Sequence, residues 1–535
     1  MSGFGRSCAV AFALANLYLL FLTGPLVSPQ HQLIFHLPGS AIALFVPVIL
    51  DLLVAFVLIL GALRLARRSA RSELLVWAML VLPLPLVLVE TISAFAGQPP
   101  NRWVLWASIL LAIAGFAFVL ARSRNLKEPF ERIRPALTTI LAFVSLSGLV
   151  LLGQLLWFAW KSRDLNPPFV ARVLNPGADA PPNSPRVLWI ILDELSYRQV
   201  YGDRFPGLAL PNFDRLASQS TLFTRAQAAA DYTRVAVPAL LTGDPLSATS
   251  PLADGRHLLL HTRGVRGWHP LDPRNTVFGD VASAGLPTGI AGWYEPYCRV
   301  LPSVLDHCFW TYADNIPGGL SGTASIADNA TRPFRDLILA SLHLAGIGPG
   351  TPSEGALDVR RHAADYRALF AAGDQFLEQQ TAGLLLLHMP IPHPWGFYDR
   401  RTGTFPNHRT SYLDNLALAD AYVGHVRTLL ERTGGWDATT VIIMGDHGWR
   451  TRAVWRHSGF WTDEERRASH GGDLADNPAM IVKLAGQQTP ARIDAPYAAV
   501  RTRALIDALL RGQVRTPDEL KAWVGHSANG KPAAP

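Results

Sequence analysis

At 535 residues the chain is long enough for two or three domains. With hydrophobic residues at 49% and a mean hydropathy of +0.18, it is too apolar for an ordinary soluble enzyme. The net charge of +7 carries no case for nucleic-acid binding: ten basic residues (Arg6, Arg64, Arg67, Arg68, Arg71, Arg122, Arg124, Lys127, Arg132 and Arg134) stand against Glu73, Glu128 and Glu131, and that surplus equals the whole net charge.

Those charges flank five apolar stretches, Val10–Val27, Ala41–Leu63, Leu74–Ala96, Trp103–Ala121 and Leu137–Trp160. Each is near the ~20 residues that cross a bilayer. The first lacks a small-residue cleavage site and reads as a retained anchor. Positive loops stay inside, so the N-terminus is expected in the cytoplasm, and an odd number of spans puts everything after Lys161 outside. The expected organisation is a five-helix transmembrane domain over 1–162, a linker over 163–186, an extracytoplasmic catalytic domain over 187–515 and a flexible tail over 516–535. Asp51 and Glu90 fall inside the second and third spans, as headgroup contacts or as structural hydrogen bonds. Cys298 and Cys308, ten apart in the exported part, predict a disulfide, the alternative being two buried thiols.

After the Pro- and Asn-rich linker, Val187–Leu192 is a continuous apolar run, as in a strand buried on both faces. Pro211–Ala217 reads as a helix and Thr221–Ala226 as a short strand. Thr233 opens the next helix. Further strands are expected at Gly383–Met389, Thr440–Met444 and Ala479–Leu484, and helices at Ala330–Ala345, Asp358–Gln380, Tyr412–Arg432 and Arg501–Leu510. Strands alternating with helices imply a mostly parallel α/β sheet, whose ligand site lies beyond the carboxyl ends of the strands. Gly255–Arg274 and Ile316–Gly355, apart from its helix, read as loops that set specificity.

At that edge the sequence collects chemistry. Asp193-Glu194 follows the first strand, His388 ends another and is followed by His393, Asp446-His447-Gly448 follows a third, and Ser469-His470-Gly471 precedes a fourth. Thr233 sits where first-turn N–H groups and the helix dipole hold an anion. Singly, each is as readily a turn former or a helix cap. Together, carboxylates, imidazoles and a hydroxyl make a shell for Zn²⁺ or Mn²⁺ that would activate the Thr233 hydroxyl as a nucleophile.

The order Leu-Asp193-Glu194, Pro211-Asn-Phe, Thr233…Pro238…Leu-Leu-Thr-Gly243, His388…His393 and Asp446-His447-Gly448 resembles the sulfatase-like branch of the alkaline phosphatase superfamily. With five spans in front, the layout is similar to bacterial phosphoethanolamine transferases and lipoteichoic acid synthases. The resemblance implies a phosphothreonine intermediate at Thr233, and a main metal held by Asp193 or Glu194 with Thr233, Asp446 and His447. It gives His388, His393 and His470 to the phosphate, a second metal or the leaving group. Sulfatases of this kind make formylglycine from a Cys/Ser-x-Pro-x-Arg motif; Thr233-Arg-Val-Ala-Val has neither the Cys nor that Pro, which disfavours sulfate chemistry by that route. Three cysteines are fewer than phosphoethanolamine transferases usually carry. The function expected is transfer of phosphoethanolamine or phosphoglycerol from a membrane phospholipid to an envelope glycan or lipid, at the bacterial cytoplasmic membrane. A membrane-anchored phosphodiesterase or sulfatase-type hydrolase is the alternative.

Overall fold

In the computed structural model, residues 3–27, 34–96, 102–171, 186–252, 254–312, 319–344, 354–379, 383–457, 461–473 and 476–526 are described. The chain divides into two compact units: Met1–Asn166 with Ala253–Gly255 and Asp314–Thr351, and the remainder from Pro167 onward.

The first unit is helical. Ala41–Ala66, Ala70–Val89, Trp103–Arg122 and Lys127–Lys161 are long and apolar enough to cross a membrane. The first expected span instead folds as two shorter helices, Gly3–Tyr18 and Leu20–Val27, separated at Leu19. Within Ala70–Val89 the geometry falters between Val81 and Leu84, where Pro83 supplies no N–H. Leu14, Leu22, Leu44, Phe45, Leu52 and Leu155 form a fully buried seam in this unit. Asp51 is buried within it, and the Glu90 side chain lies outside the described residues. The segment read as a loop insertion belongs here too: its helix is Ile326–Leu344, Asn329 Nδ2 donates to the Ala43 carbonyl at 2.7 Å, and the Ser40 N–H donates to the Gly322 carbonyl at 2.8 Å.

The second unit carries thirteen strands among the described residues: β1 Arg186–Leu192, β2 Thr221–Phe223, β3 Ala226–Gln227, β4 Leu246–Pro251, β5 Leu258–Thr262, β6 His269–Pro270, β7 Thr288–Trp293, β8 His307–Thr311, β9 Leu384–Met389, β10 Thr439–Gly445, β11 Met480–Lys483, β12 Ala491–Ile493 and β13 Tyr497–Ala498. Eight form the main sheet, in the order β12-β2-β11-β10-β1-β9-β7-β8. Only β11 runs antiparallel to its neighbours, so the sheet is mostly parallel. Buried on both faces, β1 has no polar alternation. Leu188, Ile190 and Leu192 point into one core with the helices Glu354–Gln379 and Tyr412–Arg432. Alternation leaves Trp189 and Ile191 for the other face, and the helix Thr502–Leu510 also packs on β1.

Three expectations are corrected. Gly255–Arg274, read as a loop, holds β5 and β6; β5 pairs antiparallel with both β4 and β6. The strand β7 and the edge strand β8 were not foreseen; small residues in Thr288-Gly-Ile-Ala-Gly-Trp293 weaken the apolar run that marks a strand. The tail expected to fray holds the helix Pro517–His526, nucleated where Thr516 Oγ1 accepts the Glu519 N–H while the Glu519 carboxylate accepts the Thr516 N–H. Leu520 and Val524 anchor it by full burial. Cys298 and Cys308 form the expected disulfide. Of the linker, 172–185 lies outside the described residues, as do 527–535, Ala345 and Gln380.

Candidate active site

Backbone register builds the site. Leu192 of β1 pairs with Gly445 of β10, so the next residue on each strand, Asp193 and Asp446, emerges side by side at the sheet's carboxyl edge. His447 follows. One ligand atom from each of Asp193, Asp446 and His447 lies within 4.8 Å of the others, and all three residues are buried. The His447 Nδ1–H donates to the Gly448 carbonyl at 3.1 Å, which leaves the Nε2 lone pair facing Asp446 Oδ2 at 3.3 Å and Asp193 Oδ1 at 3.8 Å. Asp446 Oδ1 accepts the N–H groups of Glu194 (3.1 Å) and His447 (2.9 Å). Asp193 Oδ2 and Asp446 Oδ2 are buried and have no hydrogen-bond partner among the described residues.

Such acceptors turned toward one another are costly unless a cation joins them. Burial holds the Asp193 carboxyl well above the usual carboxylate range, with the charges of Asp446 and Glu194 adding to it. Burial acts on Asp446 in the same direction, but His447, His388 and the Glu194 N–H pull it below that range. A divalent ion such as Zn²⁺ or Mn²⁺ fits this donor set: two unpartnered carboxylate oxygens and an imidazole whose second nitrogen is tied to a carbonyl.

Thr233 arrives from a separate element. Its helix, Thr233–Thr242, starts at Tyr232 without a side-chain cap and stops at Gly243, whose φ of 73° is the left-handed turn glycine accepts. Pro238 inside this helix supplies no N–H to the Arg234 carbonyl four residues back. The Thr249 hydroxyl from β4 fills that place, donating to Arg234 O at 2.8 Å. So held, Thr233 Oγ1 lies 3.2 Å from His447 Nε2 and 3.4 Å from Asp193 Oδ1, with only 8% of the residue exposed. The Val235 N–H donates to the Tyr232 carbonyl at 2.9 Å, which leaves the N–H groups of Thr233 and Arg234 as those of the first turn without a partner within the helix.

The remaining candidates separate. Glu194, paired with Asp193 in the sequence reading, turns away: its φ is 61°, and its fully buried carboxylate is engaged by Arg450 and by Trp455 Nε1. The Arg450 Nε donates at 2.8 Å, the Arg450 N–H at 3.2 Å and Trp455 Nε1 at 3.0 Å. His393 stands beside this pair, its Nε2 4.0 Å from Glu194 and its Nδ1–H donated to the Pro394 carbonyl at 2.6 Å. Burial lowers its pKa to about 4, so it is neutral at pH 7. His388, fully buried on β9, shares a hydrogen bond with the Tyr297 hydroxyl at 2.7 Å through Nδ1, and burial brings it to about 4 as well. Its Nε2 has no partner among the described residues. His470 is apart from the group: its side chain is 60% exposed and its nearest charge is Asp203, 3.8 Å away.

Sequence reasoning missed Arg450, Trp455, Tyr297 and Tyr232. The Arg450 guanidinium lies 5.2 Å from the Tyr232 ring centre, and Tyr232 is 44% exposed next to the nucleophile candidate. Tyr297 occupies space that a side chain on β7 would need; a Cβ on Gly292 would lie 2.2 Å from its ring. The available signal was Arg450 four residues after Asp446, in the same loop as the Asp-His-Gly motif.

Residues 185–494 match the protein-family model described as Sulfatase. No curated protein matches the chain. Solved structures with a similar fold include Ps i-CgsB in complex with k-i-k-neocarrahexaose (16% identity, TM-score 0.41, covering 65% of this chain and 77% of that one). The phosphonate monoester hydrolase of Agrobacterium radiobacter is similar at 14% identity and TM-score 0.34, over 61% and 73% of the two chains. The lipoteichoic acid synthase LtaP from Listeria monocytogenes is similar at 12% identity and TM-score 0.37, over 64% and 75%.

Proposed function

The chain belongs to the sulfatase family, and from that premise we propose that it is a membrane-anchored, metal-dependent transferase whose nucleophile is Thr233. It would move a phospho-substituent, phosphoethanolamine or phosphoglycerol, from a membrane phospholipid to a hydroxyl of an envelope glycan or lipid. The observation that carries this reading is the Thr233 hydroxyl at the start of a helix, 3.2 Å from His447 Nε2 and beside two buried carboxylates. Four apolar helices long enough to cross a membrane supply a reason for a lipid donor.

In the first displacement the Thr233 oxygen bonds to phosphorus, the bond from phosphorus to the glycerol oxygen breaks, and diacylglycerol leaves with a proton. In the second, the acceptor oxygen bonds to phosphorus as its proton is removed, the bond from phosphorus to the Thr233 oxygen breaks, and a proton returns to that oxygen. Asp193, Asp446 and His447 would hold the ion, which supplies charge neutralisation at the phosphoryl oxygens and acidifies the threonine hydroxyl. First-turn N–H groups of the helix Thr233–Thr242 orient a phosphoryl oxygen. His393, neutral and with its Nε2 lone pair free of Nδ1 tautomer exchange, takes the acceptor's proton.

The family assignment also favours a second reading, in which water replaces the acceptor and the enzyme is a hydrolase. One assay separates them. The purified full chain is given phospholipid labelled in the headgroup, and the phosphothreonine adduct, diacylglycerol and free headgroup are quantified. The transferase predicts an adduct on Thr233, diacylglycerol release, and little free headgroup when an acceptor is present; stoichiometric free headgroup under those conditions establishes hydrolysis. A Thr233→Ala variant with full turnover refutes both.

A further inference from the structure

A cavity of about 860 Å³ opens in the helical unit, lined by none of the residues of the candidate active site. Its walls come from the first turns of Gly3–Tyr18, the C-terminal end of Ala41–Ala66, the first turns of Ala70–Val81 and the N-terminal half of Lys127–Lys161. These are the helix ends that carry the basic loops.

Three arginines and one carboxylate reach the cavity: Arg6, Arg67, Arg134 and Glu73. Arg134 is matched, its Nη1 lying 2.8 Å from Glu73 Oε2. Arg67 donates to neutral acceptors, the Ser7 hydroxyl and the Gly3 carbonyl. Arg6 has no ion pair among the described residues and is exposed. Two guanidinium charges at the mouth therefore lack a counter-charge.

Away from the arginines the lining turns apolar, through the buried Val10, Leu63 and Trp77 and, on the open side, the exposed Phe143 and Leu146. On the long helix, Arg134 and Leu146 are twelve residues apart, which is about 18 Å along its axis. A site that is cationic at one end and apolar over that length matches an amphiphile with an anionic head, and its volume is that of a ligand pocket.

We propose that this cavity binds an anionic membrane phospholipid, its phosphate between Arg6 and Arg67 and an acyl chain along the wall toward Leu146. The site is independent of the donor lipid invoked above, since it shares no residue with the Thr233 site. A free phosphate would use the arginines and leave the apolar wall empty, so the lipid is the occupant that accounts for the whole cavity.

The test is native mass spectrometry of the purified full chain in a neutral detergent, titrated with phosphatidylglycerol, with phosphatidylcholine of the same acyl chains, and with inorganic phosphate. Each arginine near a headgroup contributes about a fivefold preference for an anionic lipid. Phosphatidylglycerol is expected to bind about fivefold or more tighter than phosphatidylcholine. Arg6→Ala reduces only that preference, and Ala142→Phe, which fills the apolar part, weakens both lipids. Inorganic phosphate does not displace the lipid. Equal affinity for the two lipids in the unaltered protein overturns the proposal, as does phosphatidylglycerol binding unchanged in both variants. Displacement by inorganic phosphate overturns it in favour of a free-anion site.

Discussion

Replacing Arg450 by alanine removes the side chain that neutralises Glu194, and the cost can be worked from the contacts. The Glu194 carboxylate is fully buried and the Arg450 side chain 14% exposed, so water does not replace what is lost. Two charge-assisted donors disappear, Nε and Nη2, while the Arg450 N–H and Trp455 Nε1 remain. Breaking a buried pair from one side costs about 3–5 kcal/mol. At roughly 2–4 °C per kcal/mol this lowers the thermal midpoint on the order of 10 °C. The damage extends to the site, because the N–H of Glu194, held at φ 61°, donates to Asp446 Oδ1. Thermal unfolding of the full chain in detergent, followed by tryptophan fluorescence, measures the loss. The Glu194→Gln, Arg450→Met double variant removes both charges and should be less destabilised than the two single changes summed, by about 1–3 kcal/mol. A loss below about 1 kcal/mol for Arg450→Ala, or strict additivity, refutes the account.

Thr249→Val leaves the Arg234 carbonyl without its donor and should cost about 1 kcal/mol in the same unfolding assay, with turnover falling further than stability because the carbonyl lies in the first turn of the Thr233 helix. Truncation before Pro517 removes Leu520 and Val524 from the core, each contributing about 1.5–3 kcal/mol, and should lower the midpoint measurably. His388 is held near pKa 4 against an unfolded value of about 6.5. Between those values the unfolded chain binds more protons, so its stabilising contribution is present above pH 6.5 and is lost as pH falls toward 4. At pH 5 that loss is about 2 kcal/mol, and His388→Asn should flatten the midpoint's pH dependence over this window.

The sheet was legible because its central strands, buried on both faces, are written as uninterrupted apolar runs that end in acidic or imidazole residues. β1, β9 and β10 fall within a residue or so of their expected bounds, and the Tyr412–Arg432 helix falls on them. Convergence of Asp193, Asp446 and His447 followed from one rule, that parallel strands deliver their next residues to a common edge; Thr233 reaches the same place from a helix outside that sheet. The separation of Asp193 from Glu194 was not legible, since both lie past the last residue of β1, where strand alternation no longer fixes direction, and the backbone turn at Glu194 sends one carboxylate inward and the other to Arg450. His470 misled for a similar reason: its position before a strand places it at the right edge, while its side chain points to solvent. The tail helix carried a readable signal, Thr516-Pro-Asp-Glu519, that composition obscured.

The pairing of Leu192 with Gly445 and the contact between Thr249 and Arg234 belong to different parts of the architecture. The two carboxylates are mounted on the sheet, so any chain that completes these strands acquires them at a fixed spacing. The hydroxyl rides on a helix seated by an outlying meander. On the proposed reading, nucleophile and charge can therefore be altered independently during divergence: the attacking residue is exchangeable on an unchanged acidic platform, so that a scaffold shared with sulfatases carries a threonine where the formylglycine enzymes carry a modified cysteine or serine.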